Sequence, residues 1–409
     1  MITLTPTQVY AVRQGVEIVR QHGFVYLMMK TRTGKTFASF EIGNLIGFTR
    51  ACFITTKKNI KDIRGQAKDY NFKVDVINYE SAHKLKGKYG LVILDEAHNL
   101  GTYPKVSLRW KKVKELCIGA TVIFLSATPT PESWSSIFHQ LRLSDSDPFK
   151  EYASFYRWAD TYVNKKKIYC AANPHAISYK DARIKEIKKV IDKFCVTVTQ
   201  EQAGFVAKLN ESILRVSMSG YTKLIYDFMA NDSLLRMRSL DIVISGENAT
   251  NRKNKCHQIC SGTVKNLDDY YVIDNSKGYA IKEHREALRY RKIVIFYKYI
   301  AERQIIENVF GKVESDPQKF QKAESGVFIS QIQSGREGLR LDSAECLYMF
   351  NIDFAWLSYE QALNRIMSMD RVDPAKIVWV FSDIKYEDEI LEKVMNKEDF
   401  TVNHFRRML

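Results

Sequence analysis

Short, continuous apolar runs recur along the chain and are separated by segments with helical patterns. The runs occupy residues 24–29, 92–94 and 121–125 in the first part, and residues 293–297, 326–330, 347–350 and 377–381 in the last part. A strand that is buried on both faces of a parallel sheet has this uninterrupted pattern. The alternation of such strands with helices predicts an α/β fold with two parallel sheets.

The middle of the chain has a different pattern and is too long to be a loop. Apolar positions recur at helical spacing over residues 182–194 and 221–229, and residues 196–199 and 213–216 have the pattern of short strands. A charged amphipathic helix over residues 386–395 would pack through Ile390, Leu391 and Val394. We therefore predict three regions: a first α/β domain at 1–142, helical protrusions and an interdomain crossover at 143–290, and a second α/β core at 291–409.

The apolar run at residues 92–94 ends in a pair of carboxylates, Asp95 and Glu96, which are followed by Ala97 and His98. Ligands of open α/β sheets bind at the carboxyl ends of the strands. Paired carboxylates at that place can hold Mg²⁺ and position water for the cleavage of a phosphate. An Asp-Glu pair can also be plain surface charge on a loop, but the apolar strand in front of it favours a catalytic role.

The first apolar run leads into residues 30–36, which contain the second half of a phosphate-binding loop. In such a loop, backbone N–H groups cradle the phosphates, a lysine reaches the β- and γ-phosphates, and a hydroxyl ligates Mg²⁺. Gly34, Lys35 and Thr36 fit these roles, although Met29 stands where the usual first glycine would be. A surface turn is the alternative. The order of strand, loop and apolar helix favours a nucleotide site.

A third strand, residues 121–125, ends in Ser126, Ala127 and Thr128. With this addition the chain resembles a superfamily 2 helicase or translocase, and above all the Swi/Snf-type double-stranded DNA translocases, especially the compact ones carried by phages and other viruses. The resemblance covers nearly the whole chain. It implies two tandem RecA-like domains with helical insertions, and it implies that ATP and Mg²⁺ are the cofactors.

The resemblance also assigns roles to individual residues of the first domain. Asp95 would hold Mg²⁺ through water together with Thr36, and Glu96 would act as the base that orients the attacking water. ATP would be bound by Gln8, which reads adenine, and by Thr33, Gly34, Lys35 and Thr36.

Other residues are implied to couple ATP to nucleic acid or to contact it. Ser126 and Thr128 would transmit closure of the nucleotide site. The candidates for contact with nucleic acid are Thr55, Lys57, Asn78, Lys298 and Ser334. Duplex DNA is the expected partner, in preference to single-stranded DNA or RNA.

The family's fifth and sixth motifs have counterparts in the last part of the chain. Gly338 lies in the glycine-rich turn, and Gln361 and Arg365 match residues that reach the γ-phosphate. The second arginine of the sixth motif is replaced by Ser368. An arginine finger contributes about 10³ to 10⁵ in rate in other phosphate-cleaving enzymes. Three accounts are therefore open: Arg371 binds the nucleotide instead, Arg365 suffices alone, or this copy is attenuated or engineered.

Arg371 has a second interpretation. It follows Ser368 by three residues and would share its helix face, but it could equally pair with Asp370 or Asp373 on the surface.

The charge balance agrees with a protein that handles nucleic acid. Lys and Arg number 62 against 47 Asp and Glu, which gives a formal charge of +15. A polyanion is attracted by such a chain, and the affinity should fall steeply as salt rises. The basic runs are spread over both halves, which fits a groove that follows a phosphate backbone, although any one run is more often a solvated helix face.

No apolar run approaches the ~18 residues of a membrane span, so we expect no membrane partner. The seven cysteines are scattered, which predicts reduced thiols in a cytoplasmic protein, or in the host cytoplasm if a phage encodes it. Cys256, His257 and Cys260 could begin a zinc site, but structural zinc takes four ligands. We favour a helix whose apolar side includes Cys256, Ile259 and Cys260.

The sequence thus predicts a DNA motor that closes on ATP and reopens after hydrolysis, acting as a monomer or recruited by another protein. Two rivals stay open. One is a nucleotide-binding DNA scaffold with weak catalysis, motivated by Ser368 and Met29. The other is a single-strand or RNA helicase, supported by the sequence Asp-Glu-Ala-His at residues 95–98.

Overall fold

The computed structural model describes residues 4–168, 175–205, 209–232, 234–237, 242–332, 341–355, 358, 362, 365–368 and 371–396. The chain divides into two compact units, Met1–Phe205 and Val206–Leu409. The division falls inside the segment 143–290, which the sequence had suggested as a region of its own. The middle of that segment supplies one strand to each of two sheets, Cys195–Val198 to the first and Leu209–Val216 to the second, so its residues belong partly to each unit.

The first unit contains a parallel sheet in the order β3-β2-β4-β5-β1-β8 within the described residues. The strands of the first unit are β1 Phe24–Met29, β2 Arg50–Thr55, β3 Lys73–Asn78, β4 Leu91–Asp95, β5 Thr121–Leu125, β6 Lys166–Lys167, β7 Ile177–Ser178 and β8 Cys195–Val198. Its helices are α1 Pro6–His22, α2 Lys35–Ile46, α3 Ile60–Ala67, α4 Leu108–Cys117, α5 Ile137–Leu141, α6 Phe155–Tyr162 and α7 Ile184–Ile191. Strands β6 and β7 form a separate antiparallel pair.

The central strands of this sheet are covered on both faces. β4 is buried at every position, and β1 is buried at all but one. Alternate side chains of a strand point to opposite faces, and accordingly Tyr26 packs in one apolar core while Leu27 packs in the other. The uninterrupted apolar pattern of these strands therefore arises from helices on both sides of the sheet.

The second unit contains another parallel sheet, in the order β15-β14-β16-β17-β9. The strands are β9 Leu209–Val216, β10 Leu234–Met237, β11 Ile242–Ser245, β12 Thr263–Asn266, β13 Asp269–Val272, β14 Lys292–Tyr297, β15 Gly326–Gln331, β16 Cys346–Met349 and β17 Ala375–Ser382. The helices are α8 Gly220–Asn231, α9 Ala249–Cys260, α10 Ser276–Ala287, α11 Ile300–Phe310, α12 Pro317–Lys322 and, as the last described helix, α13 Tyr386–Met395. Two antiparallel hairpins, β10-β11 and β12-β13, accompany the sheet.

Helix α13 packs on the second unit by the face that the sequence predicts. Ile390 and Val394 are buried and Leu391 is half-buried. The structure adds a polar contact, since the Glu387 carboxylate forms a fully buried ion pair with Lys277 and accepts hydrogen bonds from Ser382. Removing one partner of such a pair leaves an uncompensated buried charge.

The predicted α/β class with two parallel sheets is confirmed. Each apolar run became a strand within one or two residues of its predicted ends, and the segments at 196–199 and 213–216 became β8 and β9. In the part of the chain that the structure describes, no helix is long and apolar enough to span a bilayer.

Candidate nucleotide site

The phosphate-binding loop connects β1 to the N-terminus of α2. Gly34 caps that helix with a φ of 87°, a left-handed conformation that favours glycine. The Lys35 ammonium donates to the main-chain oxygens of Met29 at 3.0 Å and Lys30 at 3.3 Å. Thr33 donates its hydroxyl proton to the Lys30 oxygen at 2.7 Å. The unpaired N–H groups of a helix N-terminus form a ready anion site, and Lys35 adds a positive charge beside it.

Gln8 lies directly against this loop. Its side-chain oxygen accepts from the Thr5 N–H at 2.9 Å, and the two residues form a capping box at the start of α1. A methyl group added at Gly34 would overlap the Gln8 amide. The predicted adenine-reading residue and the predicted phosphate-binding residues therefore share one site.

Asp95 closes β4 and is almost fully buried, with 7% of its surface exposed. The Thr55 hydroxyl donates to Asp95 Oδ2 at 2.7 Å, and the Tyr79 hydroxyl donates to the Asp95 main-chain oxygen at 2.5 Å. The Asn59 side chain lies near enough to lower the pKa of the carboxylate. Asp95 is thus held from its side chain and from its backbone.

Burial raises the pKa of Asp95 to about 6, and the neighbouring charge of Glu96 acts in the same direction. The hydrogen bond from Thr55, the charge of Lys35 and the nearby Asn59 side chain oppose this rise in pKa. Lys35 is therefore close enough to act on Asp95 electrostatically. This proximity joins the phosphate-binding loop and the carboxylate pair into a single site.

Glu96 has an unusual backbone conformation, with φ of 50° and ψ of 51°. Non-glycine residues rarely adopt this left-handed region, and such outliers concentrate at functional sites. The Glu96 carboxylate lies 3.3 Å from His98 Nδ1. The turn thus directs two neighbouring acidic residues differently, with Asp95 toward Thr55 and Glu96 toward His98.

A chain of buried polar contacts leads from Glu96 to the end of β5. His98 Nδ1 is 3.0 Å from Ser126 Oγ, and the same oxygen accepts from the Thr128 N–H at 3.1 Å. Ser126 is fully buried. The two residues predicted to couple the site to nucleic acid are therefore connected to the carboxylate pair through His98.

The sequence interpretation missed Tyr26 and Gln140. The Tyr26 hydroxyl donates to Gln140 Oε1 at 2.7 Å, and the Gln140 amide donates to the Pro129 main-chain oxygen at 2.8 Å. Burial raises the pKa of Tyr26 well above the usual range. The available signal was a single hydroxyl-bearing residue inside an otherwise apolar strand, because a buried tyrosine usually finds a polar partner.

The residues present fit a Mg²⁺–ATP complex. Mg²⁺ prefers oxygen ligands, keeps several waters, and is commonly bound through one or two carboxylates and substrate phosphates. Asp95 and the Thr36 hydroxyl supply protein oxygens, and the absence of a side chain at Gly34 lets the Gln8 amide approach the loop backbone closely. Among the described residues, no group of three or more His, Cys, Asp or Glu could hold a metal on its own.

Two of the predicted nucleic-acid contacts in the first unit lie at the end of a strand or just after one. Lys57 is exposed on the short 3₁₀ helix Lys57–Asn59, and half-buried Asn78 donates to Glu80 Oε2 at 2.8 Å. Thr55 differs. It is fully buried and bonded to Asp95, because β2 and β4 are adjacent in the sheet, so the prediction that it contacts nucleic acid is wrong in this structure.

Lys298 also departs from its predicted role. Its side chain is 11% exposed, and its ammonium lies 3.3 Å from Asp353 Oδ1 and 3.3 Å from the centre of the Phe354 ring. Burial lowers the pKa of Lys298 to about 8. The Lys298 ammonium therefore contacts side chains of its own unit, which contradicts the prediction that it contacts nucleic acid.

Arg371 is engaged by backbone oxygens of the second unit. Its guanidinium donates to Asp342, Ala344 and Ile366 at 2.8 to 3.2 Å, and to Asp373 at 3.1 Å. Burial lowers its pKa. The structure therefore contradicts the nucleotide-binding role suggested for Arg371, since the side chain stabilises the turns around it.

The remaining residues of the fifth and sixth motifs are only partly described. Ser368 is buried, with 9% of its surface exposed, and Arg365 is half-buried. Ser334, Gly338 and Gln361 lie outside the described residues. Cys256, Ile259 and Cys260 are buried along α9 as predicted, and His257 Nδ1 lies 2.9 Å from the Tyr299 hydroxyl.

A sequence profile of the SNF2-related domain matches residues 46–263, which is more than half of the chain. The chain belongs to the SNF2-related family. Membership places it among the ATP-hydrolysing enzymes of superfamily 2 and confirms the predicted Swi/Snf-type resemblance. The matched stretch includes Asp95, Glu96, Ser126 and Thr128, while the phosphate-binding loop precedes it. The suggested similarity to phage or viral members stays a prediction.

Curated relatives share only a short segment with this SNF2-related chain. The RNA polymerase-associated protein RapA of Vibrio cholerae serotype O1 (strain M66-2) is 35% identical over 81 residues, which are 19% of this chain and 8% of that protein. RapA of Vibrio atlanticus (strain LGP32) is 37% identical over 87 residues, 21% of this chain and 9% of the relative. The match thus spans less than a tenth of the length of either relative.

Among solved structures, the Sulfolobus solfataricus SWI2/SNF2 ATPase core domain is similar with a TM-score of 0.44 and 15% identity. That comparison covers 97% of this chain and 89% of the solved one.

Proposed function

We propose that this chain is an ATP-dependent nucleic-acid motor, and more specifically a translocase on double-stranded DNA. The observation that carries the proposal is the convergence of Lys35 and Asp95 at one end of a parallel sheet in an SNF2-related chain. Phosphoryl transfer needs little covalent chemistry from the protein, since positioning and charge stabilisation supply most of the catalysis. The residues of this site can provide both.

In the proposed reaction, water attacks the γ-phosphorus of ATP and the bond to the ADP oxygen breaks. Lys35 and the N-terminal amides of α2 hold the phosphates, and Thr36 and Asp95 hold the metal. Mg²⁺, when bound, neutralises charge on the phosphate oxygens. Glu96 orients the attacking water and accepts its proton. Gln8 contacts adenine from α1, and from the sixth motif Gln361 and Arg365 assist at the γ-phosphate.

Coupling to nucleic acid is proposed to pass through the contact chain from Glu96 to β5. His98 Nδ1 lies 3.0 Å from Ser126 Oγ, and this oxygen in turn accepts from the Thr128 N–H at 3.1 Å. A change at the nucleotide that moves Glu96 would therefore also displace the segment that follows β5. Exposed Lys57 and the half-buried Asn78 are proposed to meet the nucleic acid on the same unit.

Duplex DNA is the partner proposed, with ATP and Mg²⁺ as cofactors. The formal charge of +15 supports a polyanionic partner, and the Swi/Snf-type resemblance favours duplex DNA over single strands or RNA. We further propose a cytoplasmic protein that acts as a monomer or through a recruiting protein. The RapA relatives are named RNA polymerase-associated proteins, so transcription machinery is a first recruiter to test.

The test is ATP turnover by the purified chain with and without duplex DNA, single-stranded DNA and RNA, at two salt concentrations. Duplex DNA should stimulate turnover most, and the stimulation should fall as salt rises because phosphate contacts release counterions. Greater stimulation by RNA or single strands would favour the helicase alternative instead.

A second candidate function is supported by the sixth motif. Ser368 replaces the usual arginine, and the guanidinium of Arg371 is already bound to four backbone oxygens. A nucleotide-binding DNA scaffold with slow hydrolysis is therefore the alternative proposal. Ser368→Arg separates the two: a large gain in DNA-stimulated turnover would identify the natural chain as attenuated, whereas similar turnover would favour the motor with Arg365 acting alone.

A further inference from the structure

The segment from Thr55 to Asn59 has two faces with different chemistry. Buried Thr55 hydrogen-bonds Asp95 and half-buried Asn59 lies near it, while Lys57 is exposed on the 3₁₀ helix Lys57–Asn59. We propose that Thr55 and Asn59 are positioning residues that tie the Mg²⁺-binding carboxylate to a segment that contacts DNA. The inference rests on the proposed function and deepens it, since it names a second route of coupling beside Ser126 and Thr128.

Sheet topology explains why Thr55 reaches Asp95. β2 lies next to β4, and Ile54 is in register with Leu94. The next residue of each strand is therefore Thr55 beside Asp95, and the hydroxyl donates to Oδ2 at 2.7 Å. Both side chains are buried, with 0% and 7% of their residue surface exposed. A hydrogen bond to a carboxylate that water does not reach fixes the orientation of that carboxylate.

Asn59 lies at the other end of the segment. Its side chain is near enough to the same carboxylate to lower the pKa of Asp95, and its main-chain N–H donates to the Thr56 oxygen at 3.1 Å. The turn is thus bonded to Asp95 through Thr55 and has Asn59 beside it, while Lys57 is exposed. A phosphate bound at Lys57 would therefore displace a turn that is bonded to the metal-binding carboxylate.

The adjacent threonine provides a matched control. Thr56 Oγ1 is buried and, among the described residues, has no hydrogen-bond partner. Thr55→Val and Thr56→Val remove the same hydroxyl one residue apart, but only the first removes a bond to Asp95. Thr55→Ser keeps the donor and loses only a methyl group.

The first experiment measures binding in the absence of DNA. A fluorescent ATP analogue is titrated at several Mg²⁺ concentrations into wild type and each variant, with thermal unfolding measured in parallel. Hydrogen bonds to charged groups are among the stronger ones, so Thr55→Val should raise the Mg²⁺ concentration for half-maximal binding by about tenfold. Thr55→Ser should recover most of the loss, and Thr56→Val should behave as wild type. Equal effects of Thr55→Val and Thr56→Val would overturn the proposal.

The second experiment measures ATP turnover with and without duplex DNA for wild type, Thr55→Val and Asn59→Ala. Both variants should lower the fold stimulation by DNA by at least about threefold, a loss of the size that one weakened hydrogen bond produces. Unchanged stimulation in both variants would refute the coupling route. Absence of stimulation in wild type would count against the proposed function, and the Mg²⁺ titration would still judge the positioning role. If Thr55→Val does not fold, Asn59→Ala gives the same two readings.

Discussion

The buried ammonium of Lys298 makes the stability of the second unit depend on pH in a calculable way. Burial lowers its pKa from about 10.5 to about 8. Between these values the unfolded chain binds a proton that the folded chain does not, so the free energy of unfolding rises with pH. Below about pH 8 both states are protonated, and the full cost of burying the charge, about 3 kcal/mol for this shift, is present.

The charges that face Lys298 set the shift and do not reverse its sign. Asp353 and Glu302 favour the protonated ammonium, whereas burial and the charge of Lys253 oppose it and outweigh the two carboxylates. His257 lies 3.5 Å away, and burial lowers its pKa well below the usual value. His257 is therefore uncharged in both states throughout this range. The pH dependence of the free energy of unfolding that we calculate here comes from Lys298.

The assay is urea unfolding of the full chain at about pH 7.5 and about pH 9.5 for wild type and Lys298→Met. The wild type should gain about 2 kcal/mol relative to the variant over this interval, because most of the folded molecules lose the Lys298 proton while most unfolded ones keep it. Lys312→Met, at an exposed position, controls for the loss of a lysine. If the free energy of unfolding changed equally with pH in wild type and Lys298→Met, the assigned burial of the Lys298 ammonium would be refuted.

Two further predictions concern the nucleotide site. Glu96→Gln should retain ATP binding but lower turnover by at least about 10², since a general base typically contributes 10² to 10⁴; unchanged steady-state turnover would contradict its assigned role. Gly34→Ala should lower the free energy of unfolding by about 1 to 2 kcal/mol through its left-handed φ and should also weaken ATP binding, because the methyl overlaps Gln8. Gly47→Ala is the control, with φ of 89° and nothing within 4 Å of the added methyl, and ATP affinities that do not differ between the two variants would exclude the overlap as a cause.

Local pattern was enough to predict the sheets because their strands are buried on both faces. The run at residues 92–94 could hardly be anything other than a buried strand with carboxylates at its end, and β4 has that form. The domain boundary was harder to predict. β8 and β9 are short or largely exposed edge strands, and nothing in their own residues says which sheet they join.

The partners of individual side chains could not be predicted, because they depend on strand order. Thr55 follows an apolar strand just as a DNA-contacting residue would, and only the placement of β2 beside β4 turns its hydroxyl toward Asp95. Lys298 follows an apolar strand in the same way and was likewise predicted to contact nucleic acid. Its ion pair with Asp353 joins the ends of β14 and β16, which are separated along the chain by β15.

The left-handed backbone at Glu96 implies a conflict between the stability of the fold and its activity. A glutamate in this region costs about 1 to 3 kcal/mol that a glycine at the same place would avoid. Selection for thermal resistance alone would therefore favour losing the residue that we propose as the base for hydrolysis. Directed evolution of this chain toward heat tolerance should include a turnover screen in every round, since otherwise the most durable descendants would be those that no longer hydrolyse ATP.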